Sequence, residues 1–144
     1  MDIFISHHSR DENLAVHLKK LLDQVFNGMH DIFLSSDLPG GADWMQAIGE
    51  FVDRKPYTIV IVTKTSVKRP WVWLEIGAAW KVGATVVPLH RKNVRLPDPL
   101  KRLTSRRLTH DGLAKLCRDI GNECGATVDY GDARESAKGE FGRL

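Results

Sequence analysis

The chain has 144 residues, 42% of them hydrophobic and 27% charged, with a formal net charge of +3. That is the size of one domain able to bury about two thirds of its unfolded surface, and the balance is that of an ordinary globular protein and not of a disordered or fibrous one. No run of eighteen apolar residues is present to cross a membrane, and Met1 leads straight into Asp2 and a strand pattern with no signal-type segment, so a cytoplasmic protein is expected.

Asp2 to Ser6, DIFIS, reads as a short first strand. Ser9-Arg-Asp-Glu12 then has the form of a capping box, with Ser9 closing the helix start and Glu12 reaching back to it. Leu14, Leu18, Leu21, Leu22 and Val25 follow at the spacing of one apolar helical stripe, and Asn27-Gly28 is a stop. Asp31 to Ser35 is a second strand. Ser36-Asp-Leu-Pro-Gly-Gly41 reads as a loop whose glycines permit close approach, and Trp44, Met45, Ile48, Phe51 and Val52 mark a second helix. Tyr57 to Thr63 is almost continuously apolar, as a strand covered on both faces must be. A helix opening at Pro70 follows, PWVWLEIGAAWKVG, and then a fourth strand from Thr85 to Leu89. A short strand near Ser105 to Leu108 and a helix from about Asp111 to Glu123 close the unit. Alternating strands and helices predict a parallel sheet with right-handed crossovers. From Gly125 onward the periodicity fades, so 1–125 is expected as the folded domain and 126–144 as a tail or linker, leading to a further domain if the chain continues.

Two features outside the strands bear on chemistry. Trp71-x-x-x-Glu75 places an indole and a carboxylate on one helical face, with Glu75 flanked by Leu74 and Ile76; a carboxylate beside apolar surface costs free energy unless it is paired, although most helical glutamates simply face water. The positive charge is uneven: Arg91, Lys92, Arg95, Lys101, Arg102, Arg106 and Arg107 cluster late in the chain. No aromatic is interleaved there for base stacking, so a solvated face and not a nucleic-acid interface is expected. Cys117 and Cys124 lie two turns apart in one helical segment without a CxxC pair, which fits structural thiols and no metal site.

The opening DIFISHHSRDE resembles the first strand and loop of a Toll/interleukin-1 receptor (TIR) domain, which typically reads F-I-S-[HY]-S-x-x-D. SSDLPGGADW is similar to the second-strand and BB-loop region of that family. KRPWVWLEIGAAWKVGATVVPL is similar to the third helix and fourth strand of its bacterial form. The resemblance spans residues 1 to about 124. It implies a flavodoxin-like α/β fold, a central five-stranded parallel sheet with helices on both faces. It also implies cleavage of NAD to nicotinamide and an ADP-ribose product, in antiphage defence, with activation by self-association with other TIR domains. Glu75 is then the catalytic residue, and Trp71, Ser6, Arg10, Ser36, Asp37 and Trp44 line the substrate cleft, with Trp44 equally readable as a core aromatic and Trp80 more so. His7 and His8 invite a catalytic reading because histidine titrates near neutral pH, but the family pattern tolerates variation there and no nucleophile is evident beside them, so neither is assigned. No GxGxxG follows the first strand, so NAD is expected as a consumed substrate and not as a bound cofactor. Two other functions compete: a non-catalytic TIR scaffold, and a nucleoside deoxyribosyltransferase, which also works on N-glycosidic bonds with a glutamate. Hydrolysis and cyclisation differ only in which atom captures the same intermediate.

Overall fold

Alternating strand and helix patterns close into a single parallel sheet in the computed structural model, which describes residues 1–37, 50, 53–66, 77, 83, 85–96 and 100–144. The strands are β1 (Asp2–Ser6), β2 (Asp31–Leu34), β3 (Tyr57–Val62), β4 (Val86–His90) and β5 (Arg106–Arg107). They are ordered β2-β1-β3-β4-β5 and every pairing is parallel. The register sets Ile5 beside both Leu34 and Ile59, and Ile59 beside Val87. One sheet face therefore presents Ile3, Ile5, Ile32, Leu34, Tyr57, Ile59, Ile61, Val87 and Leu89 to a common core. Phe4 and Val60 on the other face are buried as well, so β1 and β3 are covered on both sides, which is why YTIVIV contains no polar alternation except Thr58.

Helix α1 (Glu12–Val25) packs on the first face with Ala15, Leu18, Leu21 and Leu22. It ends in a Schellman arrangement: Asn27 has φ 52°, and the Gly28 N–H reaches back 2.9 Å to the Asp23 carbonyl. The expected capping box does not form. Ser9–Asp11 make a 3-10 turn, and His8 caps that turn by accepting the Arg10 N–H on Nδ1 at 3.0 Å. Asp11 then precedes α1 without capping it, because its carboxylate is engaged elsewhere: Oδ2 accepts the Thr63 hydroxyl at 2.8 Å.

Helix α2 (His110–Cys124) is capped by the Thr109 hydroxyl and ends at Gly125, φ 76°. Cys117 and Cys124 are both free. Burial pushes the Cys117 thiol up to about 12, so it is inert packing. The tail expected over 126–144 is instead folded. Helix α3 (Tyr130–Phe141) is capped by Asp129 and buries Ala133 and Ala137 in the same core as α1 and α2. Arg134 and the Tyr130 hydroxyl both donate to Asp111 Oδ1, tying α3 to α2, and His17 meets Glu140 at 2.8 Å, tying it to α1. Small residues explain the misreading: an i, i+4 pair of alanines leaves almost no hydrophobic signal, yet lets two helices approach closely. The expected helices around Trp44 to Val52 and Pro70 to Gly83 lie outside the described residues, apart from Glu50, Gly77 and Gly83.

Candidate functional site

In a parallel sheet of this order the chain reverses direction between β1 and β3, and the crevice at the carboxyl ends of those two strands is where such folds bind ligands. Ser6 ends β1 there, fully buried and in register with Val60 on the face opposite Ile5. The next residue, His7, is also buried. Across the β1/β2 boundary, the Ser35 hydroxyl accepts the His7 N–H at 3.0 Å and donates to the His7 carbonyl at 3.1 Å. Ser36 and Asp37 complete the same 3-10 turn and are exposed. Ser36 Oγ lies 3.2 Å from His7 Nε2, and one oxygen of Asp37 accepts the Leu34 N–H at 3.0 Å. Arg10 stands exposed on the turn that follows His8. Of the residues expected in the cleft, Ser6, Ser36 and Asp37 thus come together at the ends of β1 and β2, with Arg10 on the adjoining turn. Trp44, Trp71 and Glu75 lie outside the described residues.

The other wall begins at the end of β3. Ser66 is a buried hub whose hydroxyl accepts the Thr63 N–H at 2.8 Å and reaches the Ile61 carbonyl at 3.1 Å. Thr63 Oγ1 passes this network on to Asp11. A hollow of about 240 Å³ opens beside it, lined by Asp11, Leu14, Thr63, Lys64, Arg91 and Asn93 among others. Lys64 and Arg91 make no ion pair with the described residues, so two cations face this hollow while Asp11 is partly satisfied by Thr63. Such a rim suits anionic oxygens. His7, Asp11 and Thr63 were not expected here. Asp11 had a signal, since it is the acid that ends the F-I-S-[HY]-S-x-x-D pattern; Thr63 had none beyond its place at a strand end.

Of the late basic cluster, Arg91 lines the hollow beside β3, and Arg106 and Arg107 line a different one. Arg106 makes a two-pronged pair with Asp119, at 2.6 and 3.0 Å, and with Arg107 it lines this second hollow beside Ser105, Thr109 and Lys115. Among the described residues no group of three or more His, Cys, Asp or Glu is placed to hold a metal ion. No described helix is long and apolar enough to cross a membrane.

The family model described as TIR domain matches residues 3–118, most of the chain. The chain belongs to the TIR-domain family. Its matched span contains every residue expected in the cleft, from Ser6 to Glu75. No curated protein matches the chain. Among solved structures, the TIR domains of the activated Roq1 resistosome directly recognizing the pathogen effector XopQ are similar to it, with 14% identity, 96% of this chain and 82% of that chain covered, and a TM-score of 0.49. The TIR fold accounts for the position of the crevice: β1, β2 and β3 deliver their carboxyl ends, and the polar side chains just beyond them, to one edge of the sheet.

Proposed function

We propose that this TIR domain cleaves the N-glycosidic bond of NAD, releasing nicotinamide and an ADP-ribose product by hydrolysis or cyclisation. The observation that carries this reading is Trp71-x-x-x-Glu75 inside the span matched to the family. Nicotinamide leaves already cationic, so the pair of carboxylates that ordinary glycoside hydrolysis needs is not required. One carboxylate that holds the ribose and stabilises the positive charge developing on it suffices. The hollow beside β3 and the turn after β2 differ in charge in a way that suits the two ends of this substrate. Lys64 and Arg91 form a rim suited to a pyrophosphate, and Ser36 with Asp37 forms a neutral-to-acidic rim suited to the sugar and its cationic base. In this reading NAD is a substrate and no resident cofactor takes part. The protein is a cytoplasmic NADase of the bacterial type, acting in antiphage defence and switched on by self-association with other TIR domains.

Mass analysis of products from purified protein incubated with NAD tests the reading. Free nicotinamide with ADP-ribose or a cyclic isomer is expected, and its formation should rise per molecule when the domains are tethered or crowded. Intact NAD even in tethered protein would leave a scaffold, and base release from deoxynucleosides instead would point to a deoxyribosyltransferase.

A further inference from the structure

The His7 side chain is wired so that its protonation pattern can be read from its partners. Its Nδ1 lies 2.8 Å from the His8 carbonyl oxygen, which can only accept, so Nδ1 carries the proton of the neutral ring. Nε2 is then bare. It lies 3.2 Å from Ser36 Oγ and can only accept there, so the Ser36 hydroxyl donates its single proton inward. What Ser36 shows to solvent is an oxygen with lone pairs and nothing to give. The turn cannot easily swing to change this, because Ser35 is bonded to both the N–H and the carbonyl of His7 and Asp37 is bonded to Leu34.

We propose that His7 is a positioning residue which makes Ser36 a hydrogen-bond acceptor for a ribose hydroxyl of the substrate, with Asp37 accepting from the adjacent hydroxyl. The assignment rests on the NAD-cleaving reading. Two neighbouring acceptors at an exposed turn match the two donors of a vicinal diol. They reject a phosphate, which brings only acceptors and meets the Asp37 charge. The carboxamide and the adenine amino group of NAD are also donors, but each is a single nitrogen and not a side-by-side pair of hydroxyls. The molecule supplies its own control. His90 repeats the wiring, with Nδ1 2.9 Å from the Arg91 carbonyl and Nε2 3.3 Å from Ser105 Oγ. That pair sits between β4 and β5, away from the β1/β3 crevice, and the residue after Ser105 is Arg106 in place of an acid.

Steady-state kinetics with NAD on wild type, Ser36→Ala and Ser105→Ala test the assignment, together with NAD analogues lacking one ribose hydroxyl. Ser36→Ala should raise KM about ten-fold with kcat within about two-fold, the mark of a lost binding contact, and Ser105→Ala should change neither. One deoxy analogue should lose as much on wild type as NAD loses on Ser36→Ala, with no further loss when both changes are combined. Nitrogen-15 spectra of the wild-type histidines should show His7 protonated at Nδ1, a signature that a purely structural role for Ser36 does not demand of the kinetics. An unchanged KM in Ser36→Ala, additive losses for every deoxy analogue, or a proton on Nε2 would each overturn the assignment while NAD cleavage stands. Failure of wild type to cleave NAD at any protein concentration would remove the NAD reading and this assignment with it.

Discussion

The two carboxyl-edge histidines share one wiring diagram and differ in what surrounds it. His7 is 2% exposed, lies beside the crevice between β1 and β3, and is backed by an exposed Ser36. His90 is part-exposed, stands at the far side of the sheet, and reaches a half-buried Ser105. A histidine bonded to its own next carbonyl and to a serine on the neighbouring loop is therefore first a fastener of loops to strands. It becomes a binding device only where the fastened hydroxyl faces ligand. The division extends beyond the pair. The β1–β3 side holds polar groups bonded to one another around an open crevice. The β4–β5 side, with α2 and α3 behind it, relies on close approach: a Cβ on Gly112 would run into the Arg107 carbonyl oxygen, and one on Gly121 would fall 2.7 Å from both the Ala126 carbonyl and a Val128 methyl.

If that division holds, substitutions should separate activity from stability according to side. The largest effect is expected from Glu75→Gln, the acid of the matched motif. NAD cleavage should fall by about a thousand-fold or more, the scale for losing a group that stabilises developing charge, while the melting temperature stays within about 2 °C. Full turnover in that variant would sink the enzymatic reading. Gly112→Ala is its opposite. The added methyl collides with backbone and not with a flexible side chain, so the β5–α2 turn must move, at a cost of about 3 kcal/mol and a melting temperature lower by roughly 10 °C. Activity per folded molecule, measured well below the transition, should be unchanged. A parallel loss of specific activity would show that the two sides are not separable.

The strand and helix order was legible because it rests on long apolar runs: YTIVIV is buried from end to end, and the α1 stripe packs as its spacing predicts. The structure departs from the sequence pattern at residues whose partners lie far away in the chain. Ser9 and Glu12 spelled a local cap, yet the turn is closed by His8, and Asp11 is drawn off by Thr63, 52 residues later. No periodicity contains that information. Helix α3 leaves little trace in the sequence for the converse reason, since Ala133 and Ala137 bury little area each and their value lies in the close packing they permit. For the residues expected in the cleft, the sequence carried signals of unequal strength. Ser6 and His7 stand in the F-I-S-[HY] pattern and Ser36 and Asp37 in the segment similar to the BB-loop region, but nothing local ties His7 to Ser36, 29 residues later.

Thr63→Val probes the crevice side with a smaller change. The substitution keeps the shape and removes the hydroxyl that links Asp11 to the Ser66 hub, leaving a buried Ser66 N–H without the oxygen it now reaches at 3.2 Å. A loss of about 1–2 kcal/mol in urea unfolding is expected. Because Asp11 also lines the hollow with Lys64 and Arg91, KM for NAD should rise as well, unlike the Gly112→Ala case. A stability loss with KM untouched would place this network among the fasteners and shift the boundary between the two sides toward β1.

The smallest effect lies at neither carboxyl-edge device. His30 precedes β2 at the opposite edge of the sheet, buried against the Phe26 ring at 4.7 Å, with Nδ1 lacking a partner among the described residues and Cys124 Sγ 3.8 Å from Nε2. Burial, and after it the positive amino terminus, hold its pKa below the ordinary 6.5. The folded state therefore binds less proton at this site than the unfolded chain does. Stability should be constant above about pH 7, fall as the pH drops through 6.5 because only the unfolded chain takes up the proton readily, and level off below the folded pKa. The slope for one group cannot exceed about 1.4 kcal/mol per pH unit. Asp111, held below 3.8 by the Tyr130 hydroxyl and Arg134, loses its contribution only in more acid solution and does not enter this window. Wild type should thus lose more stability between pH 7.5 and 5.5 than His30→Gln, with the difference read from paired urea titrations. Since His30 is on the amino edge, the same substitution should leave the pH dependence of NAD cleavage unchanged. An equal slope in the two proteins would show that His30 is solvated in the folded state and not held neutral by burial.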